Sequence, residues 1–326
     1  MLCIHHHSTD PHFNLAAEEY FFKNFKENVF MLWRNDNAII VGKHQNTLSE
    51  INLDYVKEKG IRVVRRLSGG GAVYHDLGNL NFTFIQQGES EKLVDFRKYT
   101  QPILDILQEF DVDAKFEGRN DLTIQGKKFS GNAEHVFKNR ILHHGTLLFE
   151  SKMDDLVAAL KSNPLKFQDK AVKSIKSRVT NIRDHLKKDI SIEDFTNQVM
   201  KHIMEMYDDS ERYDMTENDI AAISKLVEDK YGTWEWNYGY SPRYNFQKFL
   251  KTAGGTLEFD LLVEDGIIRE CKIFGDYFNK LDKTEIEKAI EGCRHEENAL
   301  MNVLEGYNVN DYFHNVKKED LIEGMF

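Results

Sequence analysis

Three consecutive glycines at 69–71 sit inside the stretch RRLSGGGAVYHD, residues 65–76, behind two arginines and ahead of an apolar run. Glycine loses more backbone freedom on ordering than any other residue, so a triplet belongs in neither a helix nor a strand interior. The chain has to turn here, between GIRVV, which reads as a strand, and AVYHD, which opens the next one. No Lys-Ser or Lys-Thr follows the glycines, which excludes the P-loop pattern, and the spacing is not that of a dinucleotide-binding turn. What is left is physical: three residues without Cβ let a ligand lie on the backbone and expose N–H groups to an anion or a carbonyl. Arg65 and Arg66 add charge in a form that matches phosphate or carboxylate bidentately. Taken alone, a glycine turn with surface arginines is the competing reading.

Around this turn the pattern is mixed α and β. Residues 13–28 read as an amphipathic helix, VFMLWRN and AIIVGKHQN as two short strands joined at Asp36-Asn37, and AVYHDLGNLNFTFIQ as a strand pair. A helix follows from about Phe96 to Phe110. Then DLTIQGKKFSGNAEHVFKNRILHHGTLLFE, with turns at Gln125-Gly126 and Lys138-Asn139, reads as a three-stranded meander. Strands meeting in hairpins predict an α+β class, a large mixed, mostly antiparallel sheet flanked by helices. Ser151 with Asp154, Ser191 with Asp194 and Thr216 with Asp219 have capping-box-like spacing and predict helices over 152–160, 192–206 and 217–231. The aromatic, turn-rich WEWNYGYSPRYNFQ marks a domain boundary near 246, dividing the chain into 1–246 and a small α+β domain at 247–326. In the latter a hairpin turns at Glu264-Asp265-Gly266, and Thr284 with Glu287 opens a helix to about Leu304.

The 326 residues suffice for two domains, and the 41% hydrophobic content for buried cores. A net charge of -11 argues against a nucleic-acid binder, since neutralising phosphates needs clustered Lys and Arg. Residues 161–188 oppose that balance, with nine basic side chains against two acidic ones, Asp169 and Asp184. This segment is either a solvated face or a surface that attracts a triphosphate or an acidic acceptor domain and orders over a bound ligand. No run approaches the roughly 18 apolar residues of a membrane span. The amino-terminal MLCIHHHSTDPH lacks the apolar core of a secretory signal, so the expected location is the cytoplasm. His5, His6 and His7 read as native residues, not as a tag or metal site. Cys3, Cys271 and Cys293 are odd in number and lack metal-ligand spacing, with Cys271 expected in a strand and Cys293 in a helix.

Two further stretches carry chemistry. GRNDLTIQGKKFSGNA, residues 118–133, sets Asn120 and Asp121 across a hairpin from Lys127 and Lys128 and closes with Ser130-Gly131, and HHGTLLFE puts His144 before a glycine in a strand. Each has a plain structural explanation, as solvated edge lysines or a satisfied core histidine. In order and spacing, however, Arg-x-Ser-Gly-Gly-Gly-Ala-Val-Tyr-His, Gly-Arg-Asn-Asp-Leu, Lys-x-Ser-Gly and His-Gly-Thr-Leu together resemble the lipoate-protein ligases. The resemblance continues through SIKSRVTNI and WEWNYGYSP and covers nearly the whole chain. The carboxy-terminal domain is similar to the accessory domain of long-form members. Biotin ligases share the fold but carry an arginine-rich glycine loop, GRGRxGR in pattern, which is absent here.

The resemblance implies a biotin/lipoyl ligase-like catalytic fold and a two-step reaction. Lipoate and Mg2+-ATP give lipoyl-AMP and pyrophosphate, and the acyl group then passes to a lysine of an acceptor domain. It implies ATP and Mg2+ as cofactors and lipoate as substrate. The implied partners are acceptor domains of 2-oxoacid dehydrogenase complexes or the H protein of glycine cleavage, with no nucleic acid, no membrane and a monomeric enzyme. By motif position Lys128 is the catalytic cation, serving the lipoate carboxylate, the α-phosphate and later the acyl carbonyl. Arg66 lies along the ligand, and Gly71, Ala72, Val73 and Tyr74 line nucleotide and lipoate. Ser68, Gly69, Gly70, His75, Ser130, Gly131 and His144 are further wall or supporting positions. Asn120 and Asp121 hold the nucleotide, with Asp121 the candidate Mg2+ ligand. Leu67, Val73 and Phe129 are the expected apolar walls for the acyl chain, where burying about six methylene-sized groups at ~0.8 kcal/mol each gives roughly 5 kcal/mol. Such a wall separates similar chains by only ~1–3 kcal/mol, so octanoate is an expected alternative substrate.

Two rivals remain. An ATP-independent octanoyl- or lipoyltransferase uses a cysteine nucleophile near the same lysine, yet no cysteine lies between Cys3 and Cys271. A non-catalytic binder of lipoyl-AMP is expected to have lost the lysine first, and Lys128 is present.

Overall fold

The computed structural model describes residues 1–88, 95–118, 120–160 and 178–326. Most of the basic segment expected to order over a ligand, including Lys161, Lys166, Lys170, Lys173 and Lys176, lies outside the described residues, as does Arg119. Packing divides the chain into two units, 1–43 with 50–233, and 44–49 with 234–326.

The first unit is built on an eight-stranded sheet. Its strands are β1 (Leu2–His5), β2 (Val29–Trp33), β6 (Asn79–Gln87), β7 (Ala114–Glu117), β8 (Asp121–Ile124), β9 (Lys127–Phe137), β10 (Arg140–Leu148) and β11 (Glu211–Arg212). They lie in the order β11-β1-β2-β6-β10-β9-β8-β7, and only the β11-β1 and β1-β2 pairs are parallel. The mostly antiparallel α+β class is therefore the one the chain adopts. The meander forms as expected, its turns carried by Gln125, Gly126 and Lys138 at positive φ.

Two expected strand pairs do not form. β3 (Ala38–Val41) leaves β2 and becomes the centre of a separate three-stranded sheet, parallel to β4 (Arg62–Arg65) and antiparallel to β5 (Val73–His75). The links at 34–37 and 76–78 are therefore crossings between sheets. Every residue of β2 and of β3 is buried, the pattern of strands covered on both faces and not of a hairpin with one wet face.

Alternation along β6 decides the layering. Leu80, Phe82 and Phe84 join the core with Ile103, Ile106 and Leu107 of the helix Phe96–Glu109 and Phe195, Val199 and Ile203 of the helix Ile192–Met206. Asn79, Asn81 and Thr83 face the opposite side, where the helix Pro11–Asn24 lies. That helix starts earlier than its periodicity suggests, because Asp10 caps it through His12 N and Phe13 N and Pro11 occupies its first turn.

The Ser191 and Thr216 capping boxes both form, opening helices at Ile192 and Glu217, and the second helix widens into a π turn over Val227–Tyr231. The Ser151 box does not form. The side-chain amide of Asn181 takes both Ser151 backbone groups, accepting from N at 3.0 Å and donating to O at 3.1 Å, and the helix Met153–Ala159 starts without a side-chain cap.

The second unit holds an antiparallel sheet of β12 (Tyr244–Thr252), β13 (Gly255–Glu264) and β14 (Ile267–Gly275). One face packs Leu257, Phe259, Leu261 and Ile273 against Ile286, Leu300 and Leu321 of the following helices and against Phe313. The hairpin turns at Asp265-Gly266, both at positive φ. The single helix expected from Thr284 to Leu304 is two, Thr284–Ile290 and Glu297–Leu304, broken where Gly292 takes φ +90. Cys293 falls in that break and not in a helix, whereas Cys271 lies in β14 as expected. Among the described residues no helix is long and apolar enough to cross a membrane.

Asp219 ties the first unit together. Its carboxylate accepts from the hydroxyls of Tyr20, Tyr213 and Thr216 at 2.7 Å each and from Thr216 N at 2.8 Å. Burial works against its charge, but the hydroxyl bonds outweigh burial and hold the carboxyl below its ordinary range. Asp219→Asn should cost about 2 kcal/mol, the size of a lost cap plus a charged hydrogen bond. A depressed folded pKa contributes stability that is present above the unfolded value and is lost as pH falls through the folded one. In urea unfolding, the gap between wild type and variant should thus close toward acid pH, and a gap independent of pH would contradict the assignment.

Candidate functional site

The sheet face opposite the core is the floor of a cavity. Register places Trp33 beside Asn81 and Asn81 beside Thr146, and Gly131 N donates to Thr146 Oγ1 at 3.1 Å, so one polar row crosses four strands. Leu15 comes down from the helix Pro11–Asn24, and the loop 66–72 supplies a wall with Ile40 and Val73. The cavity has a volume of about 180 Å3. One water needs only ~10–15 Å3, so the space is of ligand size. Leu15, Trp33, Ile40, Ala72, Val73 and Ala133 make part of it apolar, while Asn120, Lys128 and Thr146 add polar groups.

Topology explains the glycines. β3 stands between β4 and β5, so the loop 66–72 has to cross the end of β3 to join them. Arg66 braces that crossing. Its Nη1 donates to Ile40 O at 3.1 Å, its Nη2 to Gly69 O and Gly71 O at 2.7 and 2.8 Å, and its Nε to Ser68 Oγ at 3.0 Å. Gly70 sits at φ +93, and a Cβ there would meet Arg66 Nη2 at 2.9 Å. Burial lowers the guanidinium to about 10, which leaves it charged at neutral pH. Arg65, fully buried, bonds Gly42 O and Lys43 O instead.

The brace continues inward. Ser68 Oγ lies 2.6 Å from His144 Nε2, and His144 Nδ1 lies 3.0 Å from Glu18 Oε1. Thr83 Oγ1 donates to the same carboxylate oxygen at 2.6 Å, and Trp33 Nε1 donates to Thr83 Oγ1 at 2.9 Å. Every donor in this chain points toward Glu18. His75 lies beside it, pushed down to about 3 by burial, with Arg66 and His144 adding to the effect. Its Nδ1 faces Asn35 Nδ2 at 3.1 Å, so Nε2 carries the hydrogen and has no partner among the described residues.

Lys128 is aimed by a bulge. Asp121 pairs with Gly131 and Leu122 with Ser130, but Thr123 pairs with Lys128, so Phe129 is the extra residue of β9. Phe129 enters the core while Lys128 borders the cavity. Lys128 N donates to Arg178 O at 2.7 Å and Thr180 N donates to Lys128 O at 3.0 Å, which fixes its backbone. Its ammonium lies 2.7 Å from Asp121 Oδ1 and is 42% exposed. A Cβ at Gly131 would stand 3.0 Å from Nζ, so the glycine gives the ammonium its room.

The structure thus brings Arg66, Gly70, Gly71, Ala72, Val73, His75, Asn120, Lys128, Gly131 and His144 around one cavity. Ser68, Gly69, Tyr74, Asp121 and Ser130 do not line it. Tyr74 alternates to the far side of β5 from Val73 and His75, and its hydroxyl donates to Asn37 Oδ1 at 3.1 Å. Ser68 and Ser130 are buried in hydrogen bonds, and Asp121 acts from beside Lys128. Leu67 and Phe129 are not its apolar walls either, Phe129 because it packs into the core. Sequence reading missed Glu18, Trp33, Asn81, Thr83, Asn132 and Thr146. One signal was present: Glu18 and Glu19 are adjacent acids in the otherwise apolar LAAEEYFF, and both are buried.

The sequence matches the family described as the lipoyl protein ligase A/B catalytic domain over residues 10–204, and the bacterial lipoate protein ligase C-terminus over 241–325. It is 43% identical over 321 residues to lipoate-protein ligase LplJ of Bacillus subtilis, covering 97% of each chain. It is likewise 43% identical over 319 residues to lipoate-protein ligase 1 of Staphylococcus aureus, again covering 97% of each. Among solved structures it is similar to a bi-partite lipoate protein ligase of Thermoplasma acidophilum, from a study of that ligase and its E2 lipoyl domain. That match has 32% identity and a TM-score of 0.66, over 74% of this chain and 97% of that one. A lipoate-protein ligase A bound with ATP matches at 29% identity and TM-score 0.64, over 73% and 98%. The P. falciparum LipL1 in complex with lipoate matches at 27% identity and TM-score 0.62, over 94% of each chain. With a catalytic-domain match spanning most of the chain and relatives this similar over its length, the chain belongs to the lipoate-protein ligase family.

Proposed function

We propose that this protein activates lipoate with ATP, giving lipoyl-AMP and pyrophosphate, and then transfers the lipoyl group to a lysine of an acceptor domain. The observation that carries the reading is Lys128, an exposed ammonium at the edge of a cavity that is partly apolar and partly lined with amides. Relatives solved with ATP and with lipoate support both ligands.

A carboxylate is a poor electrophile, and joining it to AMP supplies a leaving group. In the first step a lipoate oxygen attacks the α-phosphorus and pyrophosphate departs, so negative charge gathers where carboxylate and triphosphate meet. Lys128 supplies positive charge there, and exposed N–H groups of the loop 69–71 serve as further donors. In the second step the acceptor amine attacks the acyl carbon, loses a proton, and AMP leaves. A compact ammonium with three donors can serve carboxylate, phosphate and acyl carbonyl in turn. The acyl chain lies against Leu15, Trp33, Ile40 and Val73.

Mg2+ is generally held by one or two carboxylates together with substrate phosphates. Asp121 fits that role, as a 39% exposed carboxylate beside Lys128. No group of three His, Cys, Asp or Glu suited to a metal occurs among the described residues, so the ion would arrive on the nucleotide, where it neutralises the triphosphate. The acceptors are lipoyl domains of 2-oxoacid dehydrogenase complexes or the glycine cleavage H protein, the former supported by the T. acidophilum ligase studied with its E2 lipoyl domain. The enzyme acts as a cytoplasmic monomer.

Lys128→Ala should lower lipoate-dependent pyrophosphate release by ~10²- to 10³-fold, the effect of removing one preorganised donor. Unchanged release would show that another group holds the central role. In a panel of apo lipoyl domains and apo H protein with ATP, Mg2+ and either lipoate or octanoate, intact mass should show one acyl group added to at least one acceptor. Acyl transfer without ATP would instead favour the transferase reading.

A further inference from the structure

We propose that Glu134 and His143 form a proton-holding pair on the far side of the sheet that positions Asn120 at the cavity through Asn132. The nucleotide consequence rests on Asn120 contacting the adenylate; the pair itself does not.

Glu134 on β9 and His143 on β10 are direct cross-strand partners, with Glu134 Oε1 2.9 Å from His143 Nδ1. Both side chains are buried, at 3% and 0% exposure. The imidazole lies stacked with Phe82 and Tyr99, at centroid distances of 5.8 and 5.0 Å. Its Nε2 lies 3.3 Å from Asn132 Oδ1. The Asn132 amide group is committed elsewhere, donating to Asn120 O at 3.0 Å and Ser130 Oγ at 3.2 Å. Asn120 Nδ2 returns a bond to Asn132 O at 2.5 Å. Gly145 makes the approach feasible, since a Cβ there would meet Asn132 Oδ1 at 2.2 Å.

Donor logic then fixes the proton. Burial drives His143 well below its ordinary value, with His144 adding to it, so the ring is neutral and has a single N–H. Asn132 presents an acceptor, so that hydrogen is on Nε2 and Nδ1 is a lone pair. Glu134 satisfies Nδ1 only as a carboxylic acid, donating its O–H. Burial, reinforced by the facing Asp95 carboxylate, raises Glu134 to about 7 even though a bond from the Asp95 backbone opposes the shift. Among the described residues, the other titratable groups facing the pair are Tyr99, stacked on His143, and His144 beside it.

When Glu134 gives its proton to solvent, it becomes acceptor-only, and the imidazole hydrogen must move from Nε2 to Nδ1. Nε2 then sets a lone pair against Asn132 Oδ1. Only turning the Asn132 amide over relieves this, and the turn gives up its side-chain bond to Asn120 O. A raised carboxyl pKa means the folded chain holds the proton more tightly than the unfolded one. The pair's contribution is therefore full below the ordinary carboxylate value and is lost as pH rises to about 7.

Glu134→Gln tests this, because an amide N–H donates to Nδ1 at every pH. Ring-nitrogen NMR of histidine-labelled protein should show His143 as the Nε2–H tautomer at acid pH, converting to Nδ1–H near pH 7 in wild type and not in the variant. A wild-type ring that keeps one tautomer across that range, or a variant that still converts, would overturn the pair. The Kd for a non-hydrolysable Mg-ATP analogue, taken as wild type over variant so that the nucleotide's own titration cancels, should rise about 3- to 10-fold across the transition, the worth of one neutral hydrogen bond. A flat ratio alongside a tautomer switch would overturn the link to Asn120. If neither protein forms lipoyl-AMP, the ligase reading fails while the NMR result still decides the pair.

Discussion

The first unit depends on one buried run of polar contacts, from the Arg66 guanidinium through Ser68 and His144 to the Glu18 carboxylate. A buried cation is costly unless hydrogen bonds and a counter-charge compensate it. Here three backbone carbonyls and Ser68 take the Arg66 donors, and the Glu18 charge favours the protonated guanidinium. The run also joins parts that topology separates: the small β3-β4-β5 sheet, the middle strands β6 and β10, and the helix Pro11–Asn24. Because the contacts are directional and leave little slack, the glycine loop is held in one crossing of β3 and the cavity keeps its wall before any ligand arrives.

The second constraint is the bulge in β9. A regular ladder would put Lys128 and Ser130 on one face and Phe129 on the other, all in step with β8. The bulge breaks that alternation: Phe129 and Ser130 are both buried, while Lys128 keeps its ammonium at the cavity, bridged to Asp121. Phe129 burial thus anchors the strand next to Lys128, and the Arg178–Thr180 backbone clamps it from the other side. A flexible side chain is in this way carried on a backbone that does not move with it.

Much of this was legible in the sequence, for identifiable reasons. The meander, the helices at 96 and 192 and the α+β class follow from alternation, turn residues and capping pairs, which are local signals. Lys128, Asn120, Arg66 and the glycines were legible because ordered motifs survive as short strings. What failed depends on distant partners. Ser151 with Asp154 has box-like spacing, yet Asn181, thirty residues away in sequence, binds Ser151 first. VFMLW and AIIV look like neighbours, but each is buried on both faces and belongs to a different sheet. Glu18, Thr83 and Trp33 belong to no string at all, since a helix and two strands bring them to one carboxylate. Tyr74 was misplaced by reading a motif as a continuous wall, where a strand shows only alternate residues to one side.

The two cations of the site are therefore not interchangeable. Arg66 spends its fork of donors on fixed carbonyls, a use that suits a planar group with rigid geometry. Its charge reaches the cavity as a field, with little freedom to follow a moving oxygen. Lys128 has the opposite character: half exposed, opposed by one carboxylate, and free to rotate its three donors. In the proposed reaction one acyl group passes from carboxylate to anhydride to amide, and the negative charge shifts at each stage. A rigid cation holds the walls for all of those stages, and a mobile one follows the charge between them, so exchanging Arg66 and Lys128 would disable the site even though the net charge stays the same.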